Sequence, residues 1–409
     1  MTARPKLLFV SPRYLFPPDS GGKIRTGQIL RGLKGGRFKV TLVSPGSQTA
    51  VDRDKKAIEA MCDSFVCWPE ARRGRFFSYL RMRHLPSRLP ISVATDISAD
   101  ATRLISAELK RSPDVVVIDF AHAAVLMPKH VRVPSVLFTH NVEAEIFARH
   151  LAVAKNPLAK AIWQNQLLKM QRYEQTVLRS VNGVIAVSER DREQFRKRYG
   201  VESVAIPTGV DLESLPYRFD DSSTPPINDA NIVFTAAMDS YANIDGIKWF
   251  MESVWPLIAL QELRATMTIV GRNPDPSLVR AAKERGLPWI FTGTVEDVRP
   301  YVHKASIYVI PLRVGGGTRI KAFEAMALGP PVVSTSIGVE GLGLESGHHY
   351  LEADNAASFA KAVVQLIGDK ALRRRLSIEA RTFVERHFSQ SNVARIFEAI
   401  CEGVLQPAR

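Results

Sequence analysis

The chain alternates short apolar stretches with longer segments of helical period, and this alternation most limits what it can fold into. "KLLFVSP", "KVTLVSP", "SFVCWP", "DVVVIDF", "PSVLFTHN", "GVIAVSE" and "VAIPTGVD" follow one another along the first half. Each is short, rich in β-branched residues and bounded by turn formers, which predicts strands. Helical patterns separate most of them, so the sheet should be mainly parallel. A second series follows: "NIVFTAAMD", "ATMTIVGRN", "WIFTGTV", "ASIYVIPL" and "PVVST". Between the series lies "DDSSTPPINDAN", polar, proline-containing and without period, which reads as a linker. A chain of 409 residues is also too long for one core. The expected organisation is a domain at 1–219, a linker at 220–231, a second domain at 232–388, and a helix at 389–409 packing back on the body. In that last segment Val393, Ile396, Phe397, Ile400 and Val404 share one face. Two such domains imply a cleft, and ligands of open parallel sheets bind beyond the carboxyl ends of the strands.

The stretch "GGGTRIKAFEAMALGPPVVST" carries the densest chemistry. Ile320, Phe323, Ala327 and Leu328 fall at helical spacing, Gly329 stands where a C-terminal cap belongs, and Pro330 and Pro331 forbid continuation. Glycines let backbone N–H groups approach a ligand closely, and a helix N-terminus favours negative charge, so the loop suits a phosphate. Lys321 and Glu324, three apart, project from one face. An anion-binding loop beside a cation and an acid fits a ligand with both a diphosphate and hydroxyls, as a nucleotide sugar has. The plain alternative is a glycine-rich turn before an ordinary core helix.

Charge is uneven. The net charge of +14 is made of +17 in residues 1–200 and −3 in residues 201–409. An asymmetry of this kind points to an anionic partner for the first half, nucleic acid or an anionic membrane surface. The segment "ARRGRFFSYLRMRHLPSRLP" favours the membrane: Arg72, Arg73 and Arg75 interleave with Phe76 and Phe77, as suits a lipid interface. A solvated charged helix with a few packed aromatics is the alternative. No apolar run approaches the ~20 residues that span a bilayer. The three cysteines have no metal-ligand spacing and suit a reduced, cytoplasmic setting. Nothing suggests a metal site.

Other candidates follow the strands. Gly21 and Gly22 precede a helix but lack the G-x-G-x-x-G spacing of a dinucleotide site. His140 ends the fifth stretch and could donate to an oxygen or orient a hydroxyl, or serve only as a turn residue. Asp239 could accept a hydroxyl or cap the following helix.

These residues resemble, over nearly the whole chain and most strongly in the second half, the retaining GT-B glycosyltransferases of family 4. "SVNGVIAVSERDRE", "IPTGVD", "AAMDSYANIDGIKWF", "IVGRNP", "FTGTVEDVRPYVHKASIYVIPL" and the glycine stretch occur in that family's order. The likeness is greatest to bacterial members that build cell-surface polysaccharides. It implies two Rossmann-like domains facing each other across a cleft. The family's signature is a pair of glutamates separated by seven residues. Glu324 matches the second, which implies binding of the donor's ribose hydroxyls; the first falls on Gly316, which leaves the sugar contact to backbone N–H groups of Gly316, Gly317 and Thr318. The arginine and lysine usual after the second domain's first strand are replaced by "AAMDSYANID", so Arg319 or Lys321 is expected to supply the charge beside the diphosphate. His140 matches the active-site histidine near the reacting carbon. Gly21 and Gly22 match the glycine loop that approaches the diphosphate, and Val295 a position whose backbone holds the base.

The resemblance implies a retaining, metal-independent hexosyl transfer. A UDP- or GDP-sugar is the co-substrate and a saccharide or lipid-linked saccharide the acceptor. The basic half suits work at the inner face of the cytoplasmic membrane. A sugar-nucleotide epimerase of the same fold is the rival within enzymes. A non-catalytic anion- or nucleic-acid-binding protein is the rival outside them, although no nucleic-acid motif is present.

Overall fold

In the computed structural model, the described residues are 4–405 apart from 19, 71–80, 130, 155, 219–229 and 315–319. Every pairing between its strands is parallel. Two units are formed, Met1–Gly209 together with Gln390–Arg409, and Val210–Ser389. The expected linker lies almost wholly outside the described residues.

The first unit holds β1 (Lys6–Val10), β2 (Lys39–Pro45), β3 (Ser64–Trp68), β4 (Val115–Asp119), β5 (Ser135–Phe138), β6 (Gly183–Ala186) and β7 (Val204–Ala205). Their order in the sheet is β3-β2-β1-β4-β5-β6-β7. The chain therefore winds outward from β1 in one direction and from β4 in the other, which leaves a crevice at their carboxyl ends. All five residues of β4 are buried, which explains its run of β-branched residues with no polar alternation. Helix α1 (Gly21–Leu33) follows β1, and α2 (Glu143–Val153) and α3 (Pro157–Arg179) follow β5.

The second unit repeats the scheme. Its strands are β8 (Asn231–Thr235), β9 (Thr266–Val270), β10 (Trp289–Phe291), β11 (Ile307–Ile310), β12 (Val332–Ser334) and β13 (Leu351–Glu352). Their order is β10-β9-β8-β11-β12-β13, and the reversal falls between β8 and β11. Helix α4 (Tyr241–Trp249) follows β8, α5 (Ile320–Leu328) follows β11, and α6 (Lys370–Phe388) packs on α5. Gly246 of α4 lies against the Pro311 carbonyl, where an added Cβ would come within 2.5 Å of the oxygen. That glycine lets the helix rest directly on the chain leaving β11.

The last helix, α7 (Gln390–Gly403), returns to the first unit and packs on α1. Val393 and Phe397 are buried in that unit's core, with Ile396, Ile400 and Val404 packed against it. The Phe397 ring stands 5.3 Å from Phe138 and 6.4 Å from Phe9. Apolar burial of this size stabilises the attachment by several kcal/mol, at roughly 1.5–3 kcal/mol for each large side chain.

Candidate active site

At the crevice of the first sheet, the carboxyl ends of β1, β4 and β5 meet around one buried acid. Asp119, the last residue of β4, is 3% exposed. Its Oδ2 accepts from Ser11 Oγ at 2.7 Å, just beyond β1, and its Oδ1 accepts from Thr26 Oγ1 of α1 at 3.0 Å. His140 Nε2 lies 2.8 Å from Oδ1. The imidazole sits between Phe138, edge-on at 4.9 Å, and Phe120, tilted at 5.7 Å. Phe120 has φ of 50°, a left-handed conformation that costs a phenylalanine backbone strain. Gly22 approaches the ring from α1: a Cβ there would stand 3.6 Å from the ring carbon Cδ2, an ordinary van der Waals distance.

Arg25, also from α1, is fully buried and ties three strand ends together. It donates to the carbonyls of Thr139, Ala186 and Ile206, and its guanidinium lies 4.3 Å from the Phe138 ring centre. Complete burial pulls the guanidinium down to about 9, with Asp119 and Asp191 acting in the opposite sense. A second histidine lies nearby. His122 Nδ1 is 2.9 Å from Asp96, its Nε2 is 3.7 Å from Glu143, and Arg13 pairs with Asp96 at 3.0 Å. Burial alone would lower His122, but hydrogen bonds and charge from Asp96 and Glu143 outweigh it and raise the ring to about 9. The Phe120 ring touches both histidines, at 5.1 Å from His122.

The second sheet presents a different surface. Lys321, on the first turn of α5, reaches the carboxyl end of β8, where its Nζ lies 4.7 Å from the Phe234 ring centre. There it donates to Asn243 Oδ1 at 2.9 Å. Asn243 is itself fixed by its Nδ2 on the Ala237 carbonyl at 2.8 Å. Beneath, Tyr308 of β11 and Thr235 of β8 share a 2.5 Å hydrogen bond across the crevice. Glu324 is exposed, yet desolvation raises its carboxyl above the usual range, with Lys321 offsetting part of the rise. Water thus reaches this acid from one side while protein crowds the others. Beyond β11, Arg313 makes a bidentate pair with Asp245 of α4 at 2.6 and 3.0 Å.

The candidates read from the sequence are distributed as follows. His140 and Gly22 come together at the first crevice, with Gly21 exposed as the first residue of α1. Lys321 and Glu324 stand together on α5. Val295, half-buried, packs against the core of the second unit in the loop after β10. Asp239 does not cap α4: the N-cap is Ser240, and Asp239 is exposed, bonded to Asn273 at 3.2 Å and near Arg272 at 3.6 Å. Gly316, Gly317, Thr318 and Arg319 lie outside the described residues, as do Arg72, Arg73, Arg75, Phe76 and Phe77. Sequence reasoning passed over Asp119, Arg25 and Asn243. An acid closing a run of valines was a visible signal for Asp119; Arg25 and Asn243 carried none. Among the described residues, no group of three or more His, Cys, Asp or Glu side chains is placed to hold a metal ion, and no helix is long and apolar enough to cross a membrane.

Both sheets thus carry polar clusters at their topological switch points. Residues 20–214 match the model of Glycosyltransferase Family 4, and residues 229–369 match that of Glycosyl transferases group 1. The chain belongs to the family 4 glycosyltransferases. This glycosyltransferase is 20% identical over 398 residues to a 44.6 kDa protein in the cps region of Klebsiella pneumoniae, covering 95% of this chain and 97% of that one. It is 26% identical over 225 residues to a phosphatidyl-myo-inositol mannosyltransferase of Mycobacterium leprae, covering 53% and 59% of the two chains. Its fold is that of HepE from Anabaena, whose structure was solved in complex with UDP. The TM-score is 0.64 at 11% identity, with 98% of this chain and 100% of that one covered. The α/β architecture of the glycosyltransferase, two Rossmann-like units of seven and six parallel strands, is the GT-B fold.

Proposed function

We propose that this glycosyltransferase moves a sugar from a nucleotide-sugar donor to a hydroxyl of a saccharide or lipid-linked saccharide in cell-surface polysaccharide synthesis, with retention at the reacting carbon. The observation that carries the donor assignment is Lys321. The strand end that lacks the family's arginine and lysine receives a cation from α5 instead, held over Phe234 and on Asn243. Lys321, with Arg319, offsets the charge that develops on the departing diphosphate, in place of a metal ion. Such preorganised charge contributes several kcal/mol to a transition state. Glu324 accepts the ribose hydroxyls, Asp239 and the backbone at Val295 complete the nucleotide site, and backbone N–H groups of Gly316, Gly317 and Thr318 meet the sugar. In the transfer, the bond from the sugar carbon to the phosphate oxygen breaks as the acceptor oxygen bonds on the same face. The acceptor proton passes to the diphosphate, so no protein nucleophile is needed.

The relatives support the acceptor class: by their names, one lies in a cps region and another is a phosphatidyl-myo-inositol mannosyltransferase. The excess of positive charge in residues 1–200 supports work at an anionic membrane surface from the cytoplasmic side. The described end of the basic segment, a turn at Arg81–His84, leaves Met82 40% exposed beside Arg81 and Arg83. The test is turnover of UDP-, GDP-, ADP- and dTDP-sugars with a bacterial lipid extract as acceptor, reading released nucleoside diphosphate and the anomeric configuration of the product. Release from one nucleotide family, with an unchanged anomer, is the expected result. An inverted anomer would remove retention, and no release with any donor would remove the transfer. Sedimentation with anionic vesicles, and not with neutral ones, is expected in the same preparation.

A further inference from the structure

The first unit carries a second polar cluster that the proposed transfer leaves unused. Arg13, two residues beyond the Ser11 that bonds Asp119, donates from both terminal nitrogens to Asp96, at 3.0 and 3.1 Å. Asp96 Oδ2 also meets His122 Nδ1 at 2.9 Å, and Glu143 lies 3.7 Å from Nε2 of the same ring. The raised value of about 9 keeps His122 protonated at neutral pH, so charge alternates in sign along Arg13, Asp96, His122 and Glu143. Tyr173 pins the turn that bears His122, donating to the Ala121 carbonyl at 3.0 Å. Arg13 follows β1, His122 follows β4 and Glu143 follows β5, so the row lies at the strand ends where open parallel sheets bind ligands.

The Asp96 and His122 side chains are 5% and 8% exposed, whereas that of Arg13 is 37% exposed. Buried ions pay a desolvation cost that their attraction barely repays, so stability does not account for such a row. What the row supplies is an arginine whose fork is held in one place. Asp96 takes two of its N–H donors, and no other acceptor among the described residues takes the rest. A planar guanidinium matches the oxygens of a phosphate, and fixing it before binding removes an ordering cost.

We propose that Arg13 binds a phosphate ester of the acceptor, held for that task by Asp96 and, through Asp96, by His122. This rests on the reading of the chain as a glycosyltransferase with a lipid-linked acceptor: a saccharide joined to its lipid through phosphate brings such an anion, and a neutral glycoside does not. The positive balance of residues 1–200 draws the same class of ligand. A nucleotide-sugar donor also carries phosphate, and the test separates the two sources.

The test is NMR of the full chain labelled with 15N-arginine, with the Arg13 Nε–H signal assigned by its loss in Arg13→Gln. Glycerol 3-phosphate, glycerol and UDP are titrated at constant ionic strength. The Arg13 signal should move with glycerol 3-phosphate and stay with glycerol. Asp96→Asn should weaken the phosphate response about 3–10-fold, the ordering cost of one long side chain. In the wild type alone, relaxation of the same signal should show a side chain restricted on the nanosecond scale. In turnover, Arg13→Gln should raise KM for the anionic fraction of a bacterial lipid extract about 10–100-fold, the scale of hydrogen bonds to a charged group, with KM for the nucleotide sugar as in wild type. An Arg13 signal indifferent to glycerol 3-phosphate would overturn the proposal. A response to UDP and not to glycerol 3-phosphate, or a rise in nucleotide-sugar KM, would give Arg13 to the donor and overturn it equally. A freely moving wild-type side chain would remove the holding role of Asp96, whether or not Asp96→Asn folds. A phosphate response in a chain that transfers no sugar would keep the site and remove the acceptor.

Discussion

The two crevices are built on the same topology and finished in opposite ways. At the first, Asp119, Arg25, Thr26 and Ser11 are all buried and hydrogen-bonded to one another or to strand-end carbonyls, and His140 is bonded among them. At the second, Glu324, Asp239 and Arg313 are exposed, although Arg313 pairs with Asp245 and Asp239 with Asn273, while the less exposed Lys321 and Asn243 hold each other. A group that must meet a reacting carbon gains from being fixed beforehand, since misplacement by an ångström is costly in rate. A nucleotide site can leave its acids open, because the ligand's own hydroxyls complete them. The first crevice therefore holds its polar groups in fixed positions, and the second leaves its acids open to solvent.

This contrast can be broken by mutation. Asp119→Ala strips the acceptor from three buried donors and should cost about 3–5 kcal/mol of stability, read in urea unfolding, whereas Glu324→Ala should leave stability within about 0.5 kcal/mol. Equal losses at the two acids would end the distinction. Lys321→Ala should lower kcat/KM for the donor by about 100-fold, or about 3 kcal/mol, with the melting temperature nearly unchanged. A large fall in stability instead would make Lys321 a packing residue.

The His122 pair sharpens the contrast through pH. Its folded value near 9 lies above the usual histidine value, so its stabilisation is complete below about pH 6.5 and is lost as pH rises through 9. The first unit should lose about 2–3 kcal/mol between those limits, and His122→Gln should flatten that slope. The smallest effect is expected at Gly22→Ala. Its Cβ would sit at ordinary distance from the His140 ring, so stability should stay within about 0.5 kcal/mol. A marked loss would mean that the ring is held more tightly than its neighbours indicate.

All seven stretches named in the first half and all five in the second contain the strands found, because β-branched runs buried on both faces leave a strong local signal. Only β13 escaped; two residues, Leu351 and Glu352, are too short to show a pattern. The apolar face of α7 was equally legible, whereas its close seat on α1 depends on Gly32, where a Cβ would fall 2.5 Å from that of Ala394. His140, Lys321 and Glu324 could be singled out because each sits just after a strand or within a recognisable helix start. Arg25 could not be, since the carbonyls it joins lie 114, 161 and 181 residues away. Asp239 illustrates the converse: an acid two residues before a helix invites the capping reading, but Arg272 and Asn273 draw it toward the end of β9.

The central claim, that the open crevice of the second unit holds the donor through Lys321 and Glu324, is tested most directly by calorimetric titration of the chain with UDP, GDP, ADP and dTDP. The measurement is repeated on Glu324→Ala and at falling pH. One nucleotide should bind, the substitution should weaken it about 10–100-fold, and acid should weaken it from a pH above the ordinary carboxylate range, because ionised Glu324 is the acceptor and its carboxyl is raised. Binding that is indifferent to Glu324→Ala and to pH would contradict the account.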